Sequence, residues 1–404
     1  MKQLPSNVEI RNNSEYERDH FDHFLKKVGF SFSVPSIHIA GTNGKGSVAN
    51  YLFNIYKKAG YKVGIYTSPY YSQFNEIIKV DDKNITDDEI NEILNEELKL
   101  INKCSLSLYE ILTYVALTYF KKQNCDLVIV ECLMGGLIDA TNVFESTCSV
   151  ITTISLEHTA ILGKTLSEIA YQKSGIIADE SRVVLGNIPE EAMETIMDIC
   201  LTKKCRVFNI TEPGNIEEDE SGYSFSYEKL TNIKVNCLAF YSITNAIIAI
   251  ETINAMQDLF NVSQIDIIEG IKNTKLSLRL ETLPNDKLTL IDGAHNPEAM
   301  HRLNEAMLKR NSGKNIHALF ACFKDKNLPL LLNELGEISH SITITTFDHP
   351  RARKYEDYFL YADEYEFISN PIDAYKMLKE KYPEDLILIT GSIAFAAYMF
   401  EVLK

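Results

Sequence analysis

Apolar positions along this chain fall into two alternating rhythms. Short unbroken runs read as buried strands, and runs spaced three and four residues apart read as helices. Residues 1 to 35 are mostly polar but set Tyr16, Phe21, Phe24, Leu25 and Val28 at helical spacing, which predicts a helix beside the first strand. The apolar run Ile37 to Ala40 is that strand; it stops at Gly41, and Ala49, Leu52, Phe53 and Tyr56 then mark a helix. Lys62 to Thr67 predicts a second strand, ending at Ser68-Pro69. Thr86-Asp87-Asp88-Glu89 has the form of a helix start, and predicts an acidic, exposed helix from Asp87 to Lys99. Ser107 to Phe120 follows as a helix, then Leu127 to Val130 as a strand buried on both faces and ending at Glu131.

Val150 to Ile154 and Arg182 to Leu185 continue the strands; Thr211 to Asn232 is polar and reads as loops and short strands before a helix from Ile243 to Met256. Beyond a connection near residue 280 the alternation restarts. It gives strands at Leu288–Ile291, Ile316–Phe320, Ser341–Thr345 and Leu386–Thr390, with helices at Pro297–Leu308, Leu328–Leu335, Ile372–Lys379 and Ile393–Val402. Such alternation predicts an α/β fold: a mostly parallel sheet carrying a phosphate-binding loop, followed by a smaller Rossmann-like α/β domain, with ligands at the carboxyl ends of the strands.

A length of 404 residues agrees with two cores. With 45% hydrophobic and 24% charged residues, the composition is that of a globular protein, and no apolar run approaches membrane-spanning length. The N-terminus lacks the apolar segment of a signal peptide, so the expectation is a cytoplasmic protein with no membrane partner. The formal charge of -16 opposes a nucleic-acid backbone and requires any nucleotide site to be locally basic. The eight cysteines form no Cys-x-x-Cys pair and read as buried free thiols.

Candidate chemistry sits at the strand ends. Gly41-Thr42-Asn43-Gly44-Lys45-Gly46-Ser47 lies between a strand and a helix; its glycines let backbone N–H groups approach a phosphate, the helix start adds a positive field, and Lys45 adds a charge. Glu131 ends a run of apolar residues and precedes Gly135-Gly136 and Asp139-Ala140-Thr141-Asn142, so its carboxylate needs a partner or a cation, for which Mg²⁺ suits a nucleotide site. Glu157-His158, Lys173 and Asp292-Gly293-Ala294-His295-Asn296-Pro297 carry little weight singly.

Taken in order, these motifs resemble the folylpolyglutamate synthase/dihydrofolate synthase family of the Mur-ligase superfamily. The resemblance is close to full length. It runs through His38 to Val48, Thr67-Ser68-Pro69, Phe74-Asn75-Glu76, Tyr109 to Thr113, Gly135 to Asn142, Glu157-His158-Thr159, Lys173 to Ile176, Asp292 to Pro297, Phe323 to Lys326, Pro350-Arg351-Ala352 and Thr390-Gly391-Ser392. It implies an ATP-binding domain over residues 1–275, a linker over 276–283 and a C-terminal domain over 284–404.

The resemblance further implies that Thr42, Asn43, Gly44, Lys45, Gly46 and Ser47 hold ATP phosphates, with Asn245, Arg279 and Asp292 as further ATP contacts. It implies two Mg²⁺ sites, Ser68 and Glu131 holding one, Glu131 and His158 standing near the second, and Lys173 carbamylated as a metal ligand. Lys45, Lys173, His158, Asp292 and His295 are the catalytic candidates. Ser107, Leu108, Tyr109 and Glu110 with Ile138, Asp139 and Ala140 would line the pterin side. The partners implied are small molecules, a folate or related pterin and L-glutamate, acting on a monomer. The activity implied is amide ligation through an acyl phosphate.

Several positions depart from the family pattern. Leu137 stands where Arg is usual, Gln172 replaces Glu, Glu157 replaces Asp, Tyr70-Tyr71 replaces His-Leu, and Ile77 replaces an Arg. Loss of two arginines near an acceptor carboxylate removes bidentate anchors. Two alternatives therefore stay open: a ligase of the same superfamily acting on another carboxylate, and a nucleotide-binding protein that has lost catalysis.

Overall fold

The structure, a computed structural model, describes residues 4–5, 7–11, 18–69, 73–310, 313–361 and 363–404. Tyr16 and the Tyr70-Tyr71 pair lie outside these residues. The chain forms two compact units. One comprises Met1–Glu217, Ser224–Val235 and Ile243–Thr274, and the other Glu218–Tyr223, Asn236–Ser242 and Lys275–Lys404.

In chain order the first part runs α1 (Asp19–Lys27), β1 (Ser36–Ala40), α2 (Lys45–Lys58), β2 (Val63–Tyr66), β3 (Ile78–Val80), β4 (Lys83–Asn84), α3 (Asp87–Cys104), α4 (Leu108–Lys122) and β5 (Leu127–Glu131). It continues with β6 (Cys148–Thr153), α5 (Thr159–Leu162), α6 (Leu166–Lys173), β7 (Arg182–Asn187), α7 (Glu190–Thr202), β8 (Arg206–Asn209), β9 (Gly214–Asp219), β10 (Gly222–Tyr227), β11 (Leu230–Val235), α8 (Tyr241–Met256) and α9 (Gln264–Lys272). The remainder is β12 (Glu281–Leu283), β13 (Asp286–Ile291), α10 (Pro297–Arg310), β14 (Ile316–Phe320), α11 (Leu328–Gly336), β15 (Ser341–Ile344), β16 (Glu366–Phe367), α12 (Pro371–Lys381), β17 (Leu386–Thr390) and α13 (Ile393–Leu403).

The large sheet of the first unit has the order β4-β3-β2-β5-β1-β6-β7-β8. From β2 to β8 neighbours are parallel, and at the other edge the β2–β3 and β3–β4 pairs are antiparallel. β1 and β5 are buried along their whole length, as apolar strands covered on both faces must be. Because β5 and β6 flank β1 on opposite sides, the strand order reverses there, which is where sheets of this kind take ligands, beyond their carboxyl ends.

In the second unit the order is β12-β13-β17-β14-β15-β16, parallel apart from β12 against β13. Thus part of the segment expected as linker, Glu281–Leu283, is an edge strand. The polar stretch after Thr211 is a three-stranded sheet, β11-β10-β9.

The N-terminal helix packs on α3, with Phe24 edge-on to Tyr114 of α4 at 4.9 Å, rather than chiefly on the first strand. α3 runs past Lys99 to Cys104, because Ile101 and Cys104 continue its buried face, and stops where Ser105 takes a left-handed conformation. Its start is the anticipated capping box, the Glu89 N–H donating to Thr86 Oγ1 at 3.2 Å and the Thr86 N–H to Glu89 Oε2 at 2.8 Å. Thr86→Ala is expected to cost about 1 kcal/mol, read as a lower midpoint in urea unfolding. Among the described residues no helix is long and apolar enough to cross a membrane, and all eight cysteines are free, seven of them buried.

Candidate active site

The glycine loop hangs from the carboxyl end of β1 and is tied to β6. The Thr42 N–H donates to the Thr153 carbonyl at 2.8 Å, the Asn43 N–H to Thr153 Oγ1 at 3.0 Å, and the Ser155 N–H to Thr42 Oγ1 at 3.0 Å. Gly44 precedes α2 with φ 86°, a left-handed conformation that favours glycine. A Cβ there would also meet Asn245 Oδ1 at 2.4 Å, so Asn245 of α8 lies directly against the loop. α2 starts with no side-chain cap and no acidic residue in its first turn. Its positive end is therefore left for an anion.

Two lysines converge on this loop. Lys45 Nζ donates to the carbonyls of Gly41 at 3.0 Å and Thr42 at 3.1 Å. Lys173, in the last turn of α6, donates its Nζ to the same Gly41 carbonyl at 2.7 Å and is 4% exposed. Burial and, next, the charge of Lys45 bring the Lys173 amine down to about 7.

Glu131, 4% exposed at the end of β5, accepts the Ser68 N–H on Oε2 at 3.0 Å. The same oxygen lies 3.3 Å from where a Cβ on Gly46 would sit, so a side chain in α2's first turn would press on the carboxylate. His158 opens α5 in a left-handed conformation, its Nε2 3.9 Å from Glu157 Oε1. Among the described residues no three His, Cys, Asp or Glu side chains gather as a metal site. The donors present suit Mg²⁺ instead, which takes one or two carboxylates and fills its shell with phosphate oxygens and water.

The residues expected on the pterin side are partly committed to structure. Ser107 caps α4, and its N–H donates to Glu110 Oε2 at 2.6 Å; Arg11 Nη2 reaches both Glu110 oxygens at 3.5 Å. Leu108 is half-buried and Tyr109 is 39% exposed. Asp139 accepts from the Met134 N–H at 2.6 Å, the Thr141 N–H at 2.9 Å and Thr141 Oγ1 at 2.5 Å, holding the loop around Ile138 and Ala140; burial raises its pKa. His38 Nε2 lies 2.8 Å from Thr141 Oγ1. The Cys132 thiol also lies 3.2 Å from that nitrogen, and burial lowers the His38 pKa to about 3, so the ring is neutral.

In the second unit Asp292 follows β13 and is 2% exposed. It accepts from the Leu280 N–H at 2.9 Å, the Ala294 N–H at 2.8 Å and Tyr241 OH at 3.2 Å. Burial raises its pKa while Arg279 opposes the rise. Arg279 Nη1 donates to the Leu278 carbonyl at 3.0 Å, and His295 Nδ1 lies 2.9 Å from the Gly293 carbonyl.

Two family models match the chain: the Mur ligase middle domain over residues 39–253 and the Mur ligase, glutamate ligase domain over residues 278–393. A dihydrofolate synthase/folylpolyglutamate synthase of Bacillus subtilis is 31% identical over 397 residues, covering 92% of this chain and 91% of its own. The chain belongs to the dihydrofolate synthase/folylpolyglutamate synthase family of Mur ligases. Among solved structures, a folylpolyglutamate synthase of Thermotoga maritima is 28% identical with a TM-score of 0.81, covering 95% of this chain and 92% of that one. Escherichia coli FolC, in complex with DHPP and ADP, is 25% identical with a TM-score of 0.85, covering 99% and 95%.

Within this synthase-family fold, the structure brings Thr42–Ser47, Lys173 and Asn245 together, with Glu131 against Gly46 and bonded to Ser68. Sequence reading missed Thr153, which holds the Thr42 and Asn43 N–H groups, and Arg11 and Arg18, which reach Glu110 and the Leu137 carbonyl from the N-terminal segment. Thr153 carried a weak signal, as the polar end of a strand; the two arginines carried none, since only tertiary packing sets where they reach.

Proposed function

We propose that this chain ligates L-glutamate to the carboxylate of a folate-type acceptor, using ATP and forming an acyl phosphate. A carboxylate is a poor electrophile; transfer of the γ-phosphoryl group supplies a leaving group, and the glutamate amine then attacks the acyl carbon and releases phosphate. The observation that carries the reading is the convergence of Lys45 and Lys173 on the Gly41 carbonyl, beside an uncapped helix start. The N–H groups at the uncapped start of α2 and Lys45 bind the phosphates and offset charge that grows during transfer. Ser68, Glu131 and His158, with Lys173 as a carbamate, would hold two Mg²⁺ ions. When bound, the metal supplies Lewis-acid polarisation of phosphoryl oxygens. Tyr109 and the Ile138–Ala140 loop would face the pterin, and Asn245 the nucleotide. The reading takes the chain as a cytoplasmic monomer with small-molecule partners.

The test is ADP release from purified protein with Mg-ATP and glutamate, with tetrahydrofolate, dihydropteroate or neither. Release that depends on an acceptor supports the reading, and release indifferent to both acceptors sinks it. Within the same assay Glu131→Gln is expected to lower kcat by about 10²-fold or more, because the carboxylate acts during transfer. Raising ATP or Mg²⁺ is not expected to restore it. Recovery at high Mg²⁺ would make Glu131 a structural carboxylate.

A further inference from the structure

Leu137 leaves the acceptor loop without a cation of its own, and its side chain is 38% exposed. Its main chain is held firmly. The N–H donates to the Gln172 carbonyl at 2.6 Å, one residue before Lys173, and the carbonyl accepts from Asn142 Nδ2 at 3.3 Å. That same carbonyl accepts a second donor, Nη1 of Arg18, at 3.3 Å. Arg18 precedes α1 and is 119 residues away in sequence. A guanidinium thus stands beside the loop that carries Ile138, Asp139 and Ala140.

Its remaining partners leave it open to a ligand. Nε meets both oxygens of Asp22 at 3.3 and 3.4 Å, but that carboxylate is 49% exposed, which makes for a weak, screened pair. Nη2 bonds nothing among the described residues, and the Arg18 side chain is 28% exposed. Arg11, the other arginine reaching this region, is matched by the buried Glu110. In a chain with formal charge -16, a guanidinium held on the Leu137 carbonyl, with an N–H edge unbonded among the described residues, has the chemistry to receive a carboxylate.

We propose that Arg18 binds the second carboxylate of the acceptor, the one that an already glutamylated acceptor carries besides the carboxylate being activated. The proposal rests on the functional reading above and makes Arg18 a determinant of acceptor specificity. Acceptors with two carboxylates gain from it, and a pteroate with one does not.

The experiment compares wild type, Arg18→Gln, Arg18→Lys and the double variant Arg18→Gln with Leu137→Arg. Steady-state kinetics are read with tetrahydrofolate monoglutamate and with dihydropteroate, and folate binding to the ADP-loaded protein is followed by calorimetry. Arg18→Gln is expected to raise KM for the glutamylated acceptor about tenfold or more, as loss of a charge-assisted bond requires. It should leave kcat, KM for ATP and KM for dihydropteroate within about twofold, and calorimetry should show the same loss of affinity. Arg18→Lys should recover part of the loss, and Leu137→Arg, which supplies a guanidinium from the loop itself, should recover more. Equal changes for both acceptors, or none, overturn the proposal while wild-type turnover leaves the functional reading standing. Wild-type protein that turns over neither acceptor overturns both.

Discussion

Lys45→Ala is expected to lose acceptor-dependent ADP release by on the order of 10²–10³-fold in kcat while keeping its unfolding midpoint. The reason lies in where the ammonium spends its bonds. Both of its hydrogen bonds go to carbonyls of its own loop, Gly41 and Thr42, and α2 is held through Val48, Ala49, Leu52, Phe53, Ile55 and Tyr56, none of which it touches through those bonds. Removing it costs the core little. It costs the phosphate site a charge that sits on an uncapped helix start and grows in value as the transferred group spreads its negative charge. Circular dichroism during urea unfolding and a single-turnover phosphate-release assay check the two halves. Unchanged turnover in a folded variant would remove the glycine loop from the mechanism.

Lys173→Ala is expected to be inactive and to recover part of its rate in acetate. Carbamate formation needs the neutral amine to attack CO₂, and an ordinary lysine is neutral in roughly one molecule in a thousand at pH 7.5. Burial and the nearby Lys45 bring Lys173 to about 7, so near neutral pH much of it is already deprotonated. Modification should therefore rise as pH increases through about 7, followed as bicarbonate-dependent mass gain or ¹³C-carbamate signal. Stability has its own sign. The unfolded lysine keeps its proton up to the ordinary lysine value of 10.5, whereas the folded one loses it near 7. Between those values the unfolded state binds more protons, so this group's contribution to stability improves with rising pH, and its penalty is fully present below 7. Acetate rescues because it brings carboxylate oxygens into the vacated space. A bare lysine in bicarbonate-treated protein, with Lys173→Ala at normal rate, would refute the modified-lysine role.

The resemblance named in the sequence survived its departures. Leu137 and Gln172 do not break the loop, since the Leu137 N–H bonds the Gln172 main-chain carbonyl, for which side-chain identity matters little. What changes is charge: the exposed Leu137 side chain has no cation, and Arg18 reaches its carbonyl from another element.

Local physics made part of this protein legible without coordinates. An apolar run such as Leu127 to Val130 has to be buried, so Glu131 had to be a strand-end carboxylate; a glycine loop between strand and helix has to open a helix start; Thr86 with Glu89 has to cap. Those signals lie within a few residues of one another. α6 leaves no mark in the apolar pattern because it spans only Leu166–Lys173, too short for its periodicity to stand out, and β12 leaves none because three residues carry no pattern. The meeting of Lys173 with Gly41 across 132 residues, and of Arg18 with Leu137 across 119, belonged to the tertiary structure alone. Sheet order decides which strand ends become neighbours, and burial then sets the Lys173 amine near neutrality. Neither can be read from the spacing of residues along the chain.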